Sequence, residues 1–275
     1  MRNIIWSATI WAAFSCQISA GVVIEMVSKD LRSNQQSPPD KTYAQGDMLR
    51  IEPHQEGGAP ATVMIFRDNA LLILNQQDRS YYRMDEQTVA QLSDQISEAM
   101  KQMQEQLKNI PPEQRAMMEQ MMKGRMPEGM SMGGAAQAPA LRVEPAGSER
   151  VEQYSCDKYE VYLGQEKTQE ICVVPVNQLG ALGEVMDTFR AMARFTKKLT
   201  ESTQQGPLAT MTNNPFQILN EIEGFPVLTR QFENGQPTHE VLFRSATEQN
   251  LSDDLFSVPS GYGEIDPFAQ MGRQR

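Results

Sequence analysis

The 275-residue chain sets 25 Lys and Arg against 35 Asp and Glu, a formal charge of −10, with 40% apolar residues, two His and three Cys. An acidic balance without a basic stripe argues against nucleic acid as a partner and against docking on anionic headgroups. The histidines lack metal-site spacing, and no Gly-x-Ser-x-Gly elbow, phosphate loop or dinucleotide fingerprint occurs, so the sequence offers no catalytic residues, suggests no enzyme and implies no cofactor.

In chain order, Met1-Arg2-Asn3, an apolar run from Ile4 to Phe14 and small residues at Ser19-Ala20 read as a cleaved secretory signal, residues 1–20, directing the protein to the periplasm. Its removal takes one Arg and no acid, so −10 becomes −11. The alternative is an anchored protein: Ala13-Phe14-Ser15-Cys16 is a degenerate version of the site at which bacterial lipoproteins are cut and acylated, here on Cys16. No later run approaches the ~20 apolar residues of a transmembrane helix. One domain over residues 21–262 is expected, with a helical, Met-rich insertion at 85–140 and a disordered tail at 263–275.

Short apolar runs alternate with turn signals from Val22 to Met84. Val22–Val27, Thr42–Ala44, Met48–Glu52, Thr62–Phe66, Ala70–Leu74 and Ser80–Met84 are predicted as an antiparallel meander, which leaves no room for crossover helices. At Met84 the period changes. Val89, Leu92, Ile96, Met100, Met103, Leu107 and Ile110 recur at steps of three and four behind Asp85 as N-cap, which predicts a helix over Glu86–Asn109. Pro111-Pro112 stops it, a second helix runs to Lys123, and the Gly/Ala/Pro/Met composition of Gly124–Pro139 cannot build a core.

Tyr154–Pro175 reads as a hairpin about Gly164, with Cys156 and Cys172 at equal distances from the turn. If the two cysteines face each other, Asp157 meets Ile171 and Ser155 meets Val173. Their bridge would contribute about 3 kcal/mol in the chain-entropy picture, whereas two unpaired thiols would require a reducing compartment. Leu182, Val185, Met186, Phe189, Met192 and Leu199 predict an amphipathic helix over Ala181–Thr200, and Pro215–Glu221 a short helical turn. Val227–Phe232 and Thr238–Thr247 flank Asn234-Gly235, a type I′ hairpin that would pair Leu228 with Val241. Leu255–Tyr262 is the last ordered piece expected.

Lys41–Glu52, Cys156 in Tyr-Ser-Cys, Gly224-Phe225-Pro226-Val227 and Phe256-x-Val258-Pro259-x-Gly261-Tyr262, behind an exported leader, resemble the uncharacterised bacterial periplasmic domains distantly similar to lipoprotein carriers of the LolA/LolB type. The resemblance covers most of the mature chain. It implies an α+β, mainly antiparallel β fold: a curved half-barrel sheet covered by amphipathic helices, whose hydrophobic concavity accepts acyl chains. This chain differs in having no amphipathic helix before its first strand and in its Met-rich segment.

Nine of the 18 methionines fall between Met100 and Met132. Three uses are compatible with that cluster: gap filling under helices, an adaptable lid over a lipid or protein ligand, and soft-metal ligation of Cu(I) by Met117, Met118, Met121, Met122, Met130 and Met132. The reading adopted is a non-enzymatic binding module that holds a lipid or a hydrophobic protein segment, with Met100, Met103, Leu107, Phe189 and Met192 as its wall. A Cu(I)-binding or envelope-stress protein, or a purely structural interaction domain without a cavity, is the alternative.

Overall fold

The computed structural model describes residues 20–54, 62–108, 141–203 and 221–266. Its strands are β1 (Ala20–Asp30), β2 (Gln35–Gln36), β3 (Asp40–Gln45), β4 (Met48–Glu52), β5 (Thr62–Arg67), β6 (Ala70–Asn75), β7 (Ser80–Met84), β8 (Leu141–Val151), β9 (Tyr154–Leu163), β10 (Glu166–Val174), β11 (Phe225–Glu233), β12 (Gln236–Asn250) and β13 (Gly263–Glu264). Among the described residues two α-helices accompany them, α1 (Glu86–Lys108) and α2 (Met186–Thr203).

All strands join one open, curved sheet in the order β13-β7-β6-β5-β4-β3-β1-β12-β11-β10-β9-β8, with β2 beside β1. Pairing is antiparallel throughout except for β13 on β7. The predicted meander is present, and its turns carry the expected chemistry: Asp68 and Asn69 both adopt positive φ between β5 and β6, as a type I′ turn requires. β1 closes the two halves by pairing with both β3 and β12.

Asp85 caps α1 as expected. Its carboxylate accepts from Thr88 N at 2.9 Å, and its carbonyl accepts from Val89 N at 3.0 Å. The second helix differs from its prediction: Gly180–Val185 is 3-10, and α-helix begins only at Met186. Gly180 and Gly183 lower helix propensity there, and Gly180 sits at φ 59, outside the helical region.

Cys156 and Cys172 are bonded, with Cα atoms 5.4 Å apart. They do not face each other: Cys172 stands opposite Lys158, Ile171 opposite Tyr159 and Val173 opposite Asp157. The bridge is therefore a diagonal between residues of one face, two positions from the predicted register. The second hairpin is displaced as well, by one residue, so that Leu228 meets Leu242 rather than Val241.

Both hairpins contain the same device. Each has a two-residue turn, Gly164-Gln165 or Asn234-Gly235, followed three residues later by an unopposed threonine. Thr168 Oγ1 donates to the Val161 carbonyl at 3.2 Å, and Thr238 Oγ1 donates to the Gln231 carbonyl at 3.4 Å, both seven residues back. The hydroxyl satisfies a carbonyl that the bulge removes from the ladder, and the extra residue shifts every pair beyond it.

β8 is absent from the sequence reading, because Pro145 and Gly147 interrupt its alternation. It is an edge strand with a bulge between Pro145 and Ser148, where a missing N–H and a glycine at φ 90 are tolerated. Gly263–Glu264, expected within the disordered tail, forms β13, and Ile265 N donates to Tyr81 O at 2.8 Å.

Candidate apolar binding face

Side chains alternate across a strand, and directly opposed residues share a face. In β5 and β6 both faces are apolar. On one face Val63, Ile65, Leu72, Leu74 and Phe256 form a buried cluster closed by the C-terminal segment. Arg50 Nη1 donates to Leu255 O at 2.9 Å and Arg67 Nη1 to Phe256 O at 3.1 Å, which places the wholly buried Phe256 over these strands. The terminal Phe-x-Val-Pro-x-Gly-Tyr sequence is thus a strap, with Gly261 at φ 85 in its final turn.

The other face carries α2. Its first row reads Leu71–Phe66–Leu49–Ala44–Val22, each residue opposite the next. Leu71 is half-buried and the other four are buried. Phe195 packs on Phe66 with ring centroids 5.6 Å apart, and Thr188 Oγ1 donates to the Gly46 carbonyl. The second row runs Tyr82–Ile73–Met64–Ile51–Thr42–Ile24, again by direct opposition. Tyr82, Ile73, Met64, Ile51 and Thr42 are half-buried, and Tyr82, Ile73 and Met64 belong to neither buried cluster. Burial pushes the Tyr82 phenol above its usual pKa. Beyond lies a polar row, Ser80–Asn75–Thr62. A buried row, a half-open apolar row and a polar rim together describe a trough. Ile24 at its end is buried in the main core, so the half-open part runs from Tyr82 to Thr42, four steps of about 4.8 Å between strands or about 19 Å.

The residues singled out from sequence lie elsewhere or outside view. Phe189 and Met192 are 2% and 3% exposed within the main core, Phe189 against Phe225 at 5.9 Å between centroids. Met100, Met103 and Leu107 belong to α1, but their side chains fall outside the described residues, as do Met117, Met118, Met121, Met122, Met130, Met132, Cys16 and the leader. Among the described residues no group of three or more His, Cys, Asp or Glu could hold a metal, and no helix is long and apolar enough to cross a membrane.

An ionic network escaped the sequence reading. Glu170, with its side chain 11% exposed, stands opposite Glu160 and Arg230, and Arg230 opposite Glu240. Glu170 accepts from Lys167 Nζ and Arg230 Nη1, both at 2.8 Å, and Lys158 Nζ lies 3.4 Å away. Burial pushes the Glu170 carboxyl up, but these cationic donors outweigh it and hold the pKa below its ordinary value. The partners come from three strands, and no local spacing announces them. Every member is paired, so the network locks β9–β12 together and offers no free group for chemistry.

Fold and face together define a mostly antiparallel, open-sheet protein with an apolar face. The chain belongs to the family described as domain of unknown function DUF4412, whose model matches residues 72–262. No curated protein matches it. Among solved structures it is similar to an uncharacterized conserved protein from Thermus thermophilus, at 8% identity and TM-score 0.43, over 90% of this chain and 91% of that one. It is similar to a chain of the MucA/MucB complex of Pseudomonas aeruginosa at 10% identity and TM-score 0.33, over 87% and 56%. A LolA superfamily protein from Nitrosomonas europaea gives 7% identity and TM-score 0.25, over 88% and 91%.

Proposed function

We propose that this chain is a non-enzymatic periplasmic binding module that holds an acyl chain or an apolar protein segment in the trough beside α2. One observation carries the reading: the row Tyr82–Ile73–Met64–Ile51 is apolar, half-open and continuous across four strands. Apolar side chains in line and left part-exposed gain by covering, at about 25 cal/mol per Å² before association costs. Apart from the Tyr82 hydroxyl, Thr42 supplies the row's one polar side-chain group. The trough floor is the middle of a sheet whose backbone groups are committed to the ladder, so it offers a ligand contact area and few hydrogen bonds.

The cellular address rests on the leader-like residues 1–20 and on the disulfide, whose cysteines are each 2% exposed and belong to the core. Protein purified from periplasm should carry a bound apolar ligand in native mass spectrometry and should take up a fluorescent fatty acid after delipidation. A ligand-free mass together with no uptake would overturn the reading.

A further inference from the structure

The two ends of the sheet are finished differently. β7 is covered by β13, through Gly263 N donating to Arg79 O at 2.9 Å and Ile265 N to Tyr81 O at 2.8 Å. At the other end β8 pairs only with β9 among the described residues, which leaves an eleven-residue strand with an open outer edge. Natural sheets blunt such edges with charge, proline and bulges. The bulge after Pro145, with Gly147 at φ 90, separates Ser148–Val151 from the first half of the strand.

That first half, Leu141–Pro145, is not blunted against itself. Arg142 and Glu144 share a face, joined by Arg142 Nε to Glu144 Oε1 at 2.8 Å, and remain 46% and 48% exposed. Leu141, Val143 and Pro145 share the other face. Leu141, 46% exposed, is the one exposed large apolar residue among the described residues.

We infer that Leu141–Pro145 is a self-complementary edge that joins two copies of this chain into one continuous sheet about a two-fold axis. Antiparallel pairing centred on Val143 sets Val143 against Val143 of the second copy, Arg142 against its Glu144 and Leu141 against its Pro145. Opposed residues share a face, so four charges alternate in sign on one side and the apolar residues meet on the other. Neighbouring registers fail. Centring on Arg142 or Glu144 sets like charges against each other, and a shift by a single residue sets Arg142 against Val143 of the second copy, which turns the charged face of one copy onto the apolar face of the other. Such an interface is isologous, as a dimer requires, and it is independent of the ligand reading.

Sedimentation of the full chain from about 10 μM to about 1 mM tests this. The wild type should show a monomer–dimer equilibrium. R142E and E144R, each apposing like charges, should each raise the dissociation constant at least about tenfold, and R142E/E144R should return it to near the wild-type value. Both positions are exposed, so all four proteins should melt alike. A wild type still monomeric at about 1 mM would overturn the inference. So would single variants that associate like the wild type, or a double variant no tighter than the singles.

Discussion

Replacing Asp85 by Ala removes the joint between the meander and α1. The carboxylate accepts from Thr88 N, Thr88 Oγ1 and Arg83 Nε, each at 2.9 Å. The Thr88 amide first, and then Arg83, pull its pKa from 3.8 to about 2. For a fully enclosed group such a depression corresponds to roughly 2 kcal/mol. The side chain is 28% exposed, and solvent screening brings the expected contribution to about 1 kcal/mol, within the usual range for an N-cap. For a chain of this size that is a fall in Tm of roughly 2–4 °C. Because the folded pKa is depressed, the electrostatic part is fully present above about pH 4 and is lost as pH falls towards 2. Thermal melts of wild type and Asp85→Ala at pH 7, 5, 3 and 2 should show a constant gap at pH 7 and 5 that narrows below pH 4. Asp85→Asn, which keeps an acceptor oxygen without the charge, should lie between them at pH 7. A gap that persists undiminished at pH 2, or no gap at pH 7, would refute the assignment.

Three further outcomes follow from particular contacts. C156S/C172S should lose about 3 kcal/mol, read as a lower denaturation midpoint, and reductant should lower the wild type by a similar amount but leave the variant unmoved. Gly224→Ala should be severely destabilising, by more than about 3 kcal/mol, since Gly224 sits at φ 122 and an added Cβ would meet Val174 O at 2.6 Å; soluble yield and the melting midpoint report it. Met64→Asp should abolish fatty-acid uptake with a small change in Tm because Met64 is half-open, whereas Phe66→Ala should cost about 3–5 kcal/mol because Phe66 is 3% exposed under α2.

How far the sequence could be read depended on how local the determining physics was. Period and turn chemistry are local, and so Met48–Glu52, Ser80–Met84, the Asp85 cap and the Asn234-Gly235 turn stand where they were expected. Register is not local. A threonine bulge three residues past the turn moved Leu228 from Val241 to Leu242, and nothing in Gln-Pro-Thr-His distinguishes a bulged threonine from a paired one. The trough was invisible for another reason. A half-buried strand normally alternates apolar with polar, but β5 and β6 are apolar on both faces, one face under the strap at Phe256 and the other under α2. With no alternation to read, Met64 and Ile73 could not be told from Val63 and Leu72. The helix stripes are legible by their period, but their Phe189 and Met192 are enclosed in the core.

The family match begins at Leu72, inside β6, yet the sheet does not. β1 lies between β3 and β12, and its residues from Ala20 to Asp30 stand opposite β12 from Asn250 to His239. β5 carries Val63 and Ile65, which with Leu72, Leu74 and Phe256 make one buried cluster. A chain cut to residues 72–275 would therefore open the long inner edge of β12 and strip the apolar floor beneath Phe256, two losses a sheet of this kind cannot offset. It should give no cooperative melt in circular dichroism and should be degraded rapidly by trypsin, whereas residues 21–275 should melt cooperatively. A protease-resistant, cooperatively melting 72–275 fragment would show that β1–β5 are an appendage, and the trough, three of whose five half-open residues lie there, would have to be given up as the binding face.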